Sequence, residues 1–326
     1  MKTMQTASAA PTGYNLQNRS NLQLFLVRFR KNWQLHLLAL LPIAWLILFD
    51  FGPAYGLQIA FREYKPRAGI WGSEWVGFWQ ITKFFDAHNF GKLLWNTLVI
   101  SVYETFIAFP VPIILALMLH ITENPTLKKL TQNVSYMPHF ISVVVLVGII
   151  NQVLNPVSGV VGNIYRAFGG VGVAPDIRAS AATFRHLYVW SGIWQNMGWN
   201  TILYVATLSN VSKELHEAAE LDGASRFKRV IYVDLPVLIP IICIRLILRC
   251  GGMLSVGFQK VYLMQNDLNL STSEVISTYV YKTGLGKMQM SYGSAIGLFN
   301  SVVNTTMLVT VNTVVSKLTN GEQGFF

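Results

Sequence analysis

Long apolar runs alternate with polar segments along the whole chain, and six of the runs reach membrane-crossing length. Crossing about 30 Å of hydrocarbon takes about 20 mostly apolar residues in a helix that rises about 1.5 Å per residue. The runs fall at about 34–51, 93–121, 134–154, 187–208, 237–257 and 293–315. The first contains LHLLALLPIAWLILF, the second is interrupted only by Glu104, and the third lies in a charge-free stretch from Thr131 to Tyr165. Each is expected to be a helix, because lipid offers no partner to the backbone of an open strand or loop. The pattern predicts an all-α membrane protein of six spans. It has a polar N-terminal segment over 1–33, a transmembrane domain over 34–318 and a short tail over 319–326.

The polar segments carry the orientation. Arg28, Arg30 and Lys31 flank the first run, and Lys128 and Lys129 lie in a short loop. Basic residues this close to span ends favour the cytoplasmic side, which puts both termini there. Within 20–32, Leu22, Phe25, Leu26 and Phe29 recur at helical spacing between basic residues. That suits either a helix lying in the inner interface or a cytosolic extension of the first span. The segments assigned to the outside, about 52–92, 155–186 and 258–292, are long. The first of them carries Tyr64, Trp71, Trp75 and Trp79, aromatic anchors suited to an interface. Residues 1–20 are polar and predict no cleavable leader.

Composition narrows the classes. Charged residues are 12% of the 326 and the apolar types 52%, against a charged share of about 25% in globular domains. A disordered chain is excluded and an ordinary soluble domain disfavoured. The net charge is +10, from 25 basic and 15 acidic residues. The basic residues sit mostly between apolar runs, which suits lipid headgroups rather than nucleic acid. Cys243 and Cys250, seven residues apart in one apolar run, are too far apart on a helix to bridge. No zinc cluster can be built from them.

One polar segment is unusually organised. Residues 209–236 include SKELHEAAELDGASRFKRVIYVDLP. Ser212 followed by Glu214 and an alanine-rich stretch predicts a helix start. Gly223 supplies the left-handed turn that ends the helix. A second short helix carries Phe227, Val230 and Ile231 on one side, and Pro236 is expected to close it and begin the fifth span. A cytosolic helix-turn-helix with small residues at its tip suits insertion into a groove of another protein. Glu217-Ala218-Ala219, three residues, Gly223, nine residues, Val233, one residue, then Leu235-Pro236 resembles the EAA loop of importer-type ABC permeases. Val233 stands where isoleucine is usual.

Two further blocks agree with this. FREYKPRAGIWGSEWVGFWQITKFF (Phe61 to Phe85) and the stretch from Val256 to Asn304 are similar to the LplB-type branch of carbohydrate ABC permeases. The resemblance covers roughly 30–318. It implies six transmembrane helices of the type I ABC importer permease kind and a bacterial inner-membrane location. Glu217, Ala218, Ala219, Asp222, Gly223, Leu235 and Pro236 would form the coupling loop. The implied partners are a sister permease subunit, two copies of a cytosolic ABC ATPase, an extracytoplasmic solute-binding protein, membrane lipid and a saccharide, with no nucleic acid. No cofactor is implied on this chain itself, since ATP and Mg would bind the ATPase subunits. A loop around Gly284-Leu285-Gly286-Lys287-Met288 lacks the pattern of a phosphate-binding loop.

Candidate substrate residues lie in the spans. Arg245 and Arg249 sit one turn apart on the fifth, where each charge costs about 2.5–3.5 kcal/mol at mid-membrane unless it meets water or a partner. They form either a cationic wall of the path, drawing an anionic saccharide of the alginate-type uronate kind, or an internal ion pair with Glu104. Trp194 and Asn196 are placed to meet sugar, whereas Trp190 suits an interfacial belt. Asn300 and Asn304 either line the path or join helices. His216-Glu217 followed by Glu220 lacks the second histidine of a zinc-protease helix, so no metal is expected there. A stand-alone ion-coupled carrier is the alternative function. It predicts an inverted repeat and broken helix pairs.

Overall fold

The computed structural model describes Phe29, Lys31–Thr319, Gly321 and Gly324. The basic amphipathic stretch from 20 to 28 lies outside the described residues. The chain divides into two compact units, 1–58 and 59–326.

The first unit holds most of helix α1 (Trp33–Phe61), and the large apolar side chains of that part, Trp33 to Leu57, are exposed. The second unit opens with a feature the apolar pattern does not predict, an antiparallel hairpin of β1 (Arg62–Lys65) and β2 (Gly69–Trp75). Gly69 takes φ +68 at its turn. The Arg62 guanidinium donates to the Ser73 carbonyl at 2.8 Å and lies over Trp71 and Trp75. The hairpin is the one departure from an all-α chain among the described residues. Two strands this short need an outside support, and the Ser291 hydroxyl supplies one by accepting from the Tyr64 amide at 2.8 Å.

Helices α2 (Trp79–Phe85), α3 (Phe90–Ile121), α4 (Pro125–Tyr136), α5 (Val143–Val153), α6 (Val160–Ala167) and α7 (Ala181–Leu208) follow. Then come α8 (Lys213–Leu221), α9 (Arg226–Cys250), α10 (Phe258–Met264), α11 (Leu270–Ser273), α12 (Ile276–Val280) and α13 (Met290–Leu318). Helix α7 is the hub, packing on α3, α4, α9, α10 and α11. Of three buried clusters, α7 contributes to the one of Ile100, Phe184 and Tyr188 and the one of Ile113, Tyr204 and Leu238, and the third, of Phe84, Leu93 and Tyr292, joins α2, α3 and α13.

Four described helices are long and apolar enough to cross a membrane: α1, α3, α9 and α13. The other two predicted spans differ in instructive ways. The run at 134–154 is not one straight helix: α4 and its 3-10 extension meet α5 at a 100° bend. Ile141 and Ser142 turn extended there, the Ser142 hydroxyl caps α5, and the Gln195 amide donates to the freed Ile141 carbonyl at 2.8 Å. The run at 187–208 lies in α7, which has 28 residues but carries Arg185, His186, Gln195, Asn196 and Asn200. A hub helix faces protein on most sides and need not be uniformly apolar.

The fifth span begins eleven residues earlier than the 237 that hydropathy predicts, because the second helix of the hairpin segment runs straight into it. Pro236 does not interrupt it. A proline lacks the N–H of its turn and crowds the carbonyl four residues back. Here the turn Val230–Asp234 widens, and the Leu235 amide reaches the Val230 carbonyl five residues back. The same device precedes Pro53, where the Gly52 amide donates to Ile47, and Pro110, where Phe109 donates to Glu104. Pro42 and Pro240 lie inside helices without a widened turn.

Candidate functional site

The hairpin is built as its residues dictate. The Ser212 hydroxyl accepts from the Glu214 amide at 3.2 Å and starts α8. At the other end Gly223 takes φ +74, its amide donates to the Glu220 carbonyl at 3.0 Å, and the Ala224 amide donates to Ala219 at 2.9 Å. That is the paired closure of a helix by a left-handed glycine. Ser225 caps the start of α9. Glu217, Ala218, Asp222 and Gly223 are exposed along this turn, and Ala219 is half-buried. Leu221 is 90% exposed, with Leu215, Phe227 and Tyr232 also bare. An exposed apolar set rimmed by charge marks a contact surface.

Charges fasten the hairpin to its neighbours. Arg229 pairs with Glu220 at 2.8 Å across the turn, and Arg226 pairs with Glu123 beyond the end of α3 at 2.8 Å. Behind them lies a cavity of about 510 Å³, lined by residues of α3, α8 and α9. Leu235 and Pro236 sit inside α9 and act on its geometry, not at the exposed tip.

Farther along α9, Arg245 and Arg249 border a cleft of about 100 Å³ with Glu104, Asn200 and Tyr204. Arg249 forms an ion pair with Glu104. Arg245 donates to Asn200 Oδ1 at 3.0 Å and lies over the Tyr204 ring at 5.9 Å. The ion pair with Glu104 exists, and it sits in a partly open cleft, with Arg249 40% and Glu104 19% exposed. Two guanidiniums against one carboxylate leave the lining at +1. Glu104 and Ala108 of the widened turn, with Phe109 and Pro112 after it, shape one wall of this cleft. Asn200 and Tyr204 complete it, and mid-span polar residues one turn apart on α7 are the signal that points to them.

The remaining candidates are scattered. Trp194 is exposed with Trp190 on an apolar groove of about 400 Å³ between α5 and α7. Asn196 is engaged: His139 Nδ1 lies 3.0 Å from its Oδ1, and its amide donates to the Gly192 carbonyl. The His139 ring stacks on Trp199. Asn304 accepts from the Leu254 amide at 3.0 Å and donates to the Ser255 hydroxyl at 2.9 Å, fastening the turn after α9 to α13. Asn300 Oδ1 is buried without a hydrogen-bond partner. The sequence set His216 beside Glu217 and Glu220, where no metal is expected, and hid that it converges instead with His120 and Asp234 beside the hairpin from three helical segments.

Residues 89–319 match the family described as the binding-protein-dependent transport system inner membrane component. The chain belongs to this family. It is 37% identical over 297 residues to Protein LplB of Bacillus subtilis (strain 168), covering 91% of this chain and 92% of the relative. It is 35% identical over 326 residues, the full length of both chains, to the polygalacturonan/rhamnogalacturonan transport system permease protein YteP of the same organism. A chain in the crystal structure of a bacterial alginate ABC transporter, in complex with an alginate pentasaccharide-bound periplasmic protein, superposes with a TM-score of 0.82. That match has 31% sequence identity and covers 91% of this chain and 98% of the other. The protein is thus a permease subunit of an ABC importer in the inner membrane. It is a transport component rather than an enzyme, and the stand-alone carrier reading is set aside.

Proposed function

We propose that this permease forms half of a two-subunit pore that imports an acidic oligo- or polysaccharide of the uronate class. A sister permease supplies the other half. An extracytoplasmic binding protein delivers the saccharide, and two cytosolic ABC ATPase subunits bind ATP and Mg. Both termini and the α8–α9 hairpin face the cytoplasm, where Glu217, Ala218, Ala219, Asp222 and Gly223 seat in the ATPase. The α9 helix then transmits ATPase closure to the cleft. From Arg226 to Arg249 it rises about 35 Å, comparable with the hydrocarbon thickness. Leu235 and Pro236 set its bend. Closure moves the spans as bodies rather than by local creep.

The observation that carries the substrate class is the cleft of Arg245 and Arg249, which holds a net positive charge beside a tyrosine face. Guanidiniums suit carboxylates because a planar donor fork matches their two oxygens. The acidic polymers named for YteP and for the alginate transporter are consistent with that chemistry. Trp194 and Asn300 extend the path, while Asn196 and Asn304 hold the elements that frame it.

The test is ATP turnover of the assembled complex in proteoliposomes with its binding protein. Oligouronate should stimulate turnover, and a neutral oligosaccharide of equal length should not. Equal stimulation by both would overturn the assignment of substrate class.

A further inference from the structure

Asp234 is the most deeply buried acid near the hairpin, 0% exposed, in the last position of the widened turn of α9. Two imidazoles meet it there. His216 Nε2, from α8, lies 3.0 Å from its Oδ1, and His120 Nε2, from the last turn of α3, lies 3.4 Å from the same oxygen. The three atoms all fall within 4.8 Å of one another. Neither contact is aligned as a hydrogen bond, and His216 Nε2 and both Asp234 oxygens are without hydrogen-bond partners. An acid and a ring nitrogen buried this way cost free energy unless something satisfies them.

We propose that His120, His216 and Asp234 form a zinc site that clamps the coupling hairpin to the second and fifth spans. Two donors about 2.05 Å from a tetrahedral zinc lie about 3.3 Å apart, and the observed 3.0 and 3.4 Å bracket that separation. An N₂O donor set suits zinc and its first-row neighbours and is poor for magnesium or calcium, which prefer all-oxygen shells. All three residues line the 510 Å³ cavity behind the hairpin, which gives an ion a way in and room for a fourth ligand. Each ligand comes from a different helical segment, so a bound ion ties α8 to α3 and α9, which already share buried apolar contacts. The site deepens the coupling role of the hairpin, but its occupancy does not depend on which saccharide is carried.

The test uses the assembled importer, purified through a tag without histidine and stripped with a chelator. Zinc alone is added, and bound metal is measured by equilibrium dialysis and elemental analysis. The result expected is one zinc more per copy of this chain than in the triple variant H120Q/H216Q/D234N. Each single change should weaken binding at least about 10- to 100-fold, since losing even an outer partner of a ligand has that effect. His216→Cys supplies another zinc ligand and should retain the ion, which separates lost ligation from misfolding. Wild-type and triple-variant complexes holding equal zinc would overturn the proposal. So would three variants that shift only the pH profile of ATP turnover and leave metal content unchanged, the signature of a simple imidazolium–carboxylate latch. Saccharide selectivity is read in the separate turnover assay, so failure of one reading leaves the other standing.

Discussion

Removing the Arg245 charge tests the cleft most directly. At 4 Å two opposite unit charges attract by about 4 kcal/mol at an effective dielectric of about 20, and by about 1 kcal/mol in water. Arg249 is 40% exposed and Glu104 19%, so the cleft lies between these limits. About 1–2.5 kcal/mol per charge is a fair range, which is about 5- to 70-fold at 1.36 kcal/mol per decade. Arg245→Gln takes the lining from +1 to 0 and should slow uptake of an oligouronate by that factor at subsaturating concentration. Glu104→Gln with Arg249→Gln removes one charge of each sign and keeps the +1, so it should transport near the wild-type rate. Arg249→Gln alone also brings the lining to 0 but leaves Glu104 unpaired and mostly buried, so it should lower both uptake and the yield of folded complex. Initial uptake rates in proteoliposomes, with a neutral oligosaccharide as control, measure all three. If Arg245→Gln and Arg249→Gln import oligouronate at the wild-type rate and with unchanged selectivity, the arginines are not part of the path.

Three further outcomes follow from the same geometry. Gly223→Ala places a side chain at φ +74, which costs about 1–2 kcal/mol; sugar-stimulated ATP turnover should fall, with Gly223→Asn milder because asparagine tolerates that region. Gly198 presses its backbone on α4, where an added Cβ would meet the Ser135 carbonyl oxygen at 2.2 Å; Gly198→Ala should cost about 1–3 kcal/mol of overpacking and lower the melting temperature of the complex in detergent. Glu217→Gln leaves the fold intact, because the carboxylate is exposed, but should weaken ATPase retention by about 2 kcal/mol, the scale of an interface hot spot. Unchanged ATPase co-purification would place the contact elsewhere on the hairpin.

Local signals made the hairpin legible in sequence. Ser212 and Gly223 each impose a backbone geometry that needs no distant partner. Apolar runs located the long helices α1, α3, α9 and α13 for a similar reason: lipid-facing surface declares itself residue by residue. What depends on packing was obscure. The 100° bend after α4 rests on Gln195, more than fifty residues away, and the β-hairpin leans on Ser291, 227 residues beyond its strand partner. Pro236 itself suggested a break, because a proline in a helix interior usually kinks or ends it. The widened turn that carries α9 past it is a backbone adjustment that hydropathy cannot register. The His120–His216–Asp234 group was hidden for both reasons, since its members sit on three helical segments and one lies in that turn.

The widened turns connect these observations into one mechanical argument. A long apolar helix transmits force well but bends only where its hydrogen-bond ladder is altered. Helices α3 and α9 each carry one alteration next to a proline, starting at Glu104 in one and ending at Asp234 in the other. Glu104 pairs with the arginine cleft, and Asp234 faces the histidines behind the coupling hairpin. The bendable points of the two helices thus coincide with their buried or half-buried charges. On the proposed coupling, a motion at the hairpin that flexes α9 near Asp234 or at Pro240 moves Arg245 and Arg249 with the segment beyond that proline. Glu104, on its own pliable turn, can follow Arg249 or release it. On the proposed path, releasing that pair frees the Arg249 guanidinium for a carboxylate while the lining stays at +1, so the bend that moves the walls would also change how strongly they hold an acidic substrate.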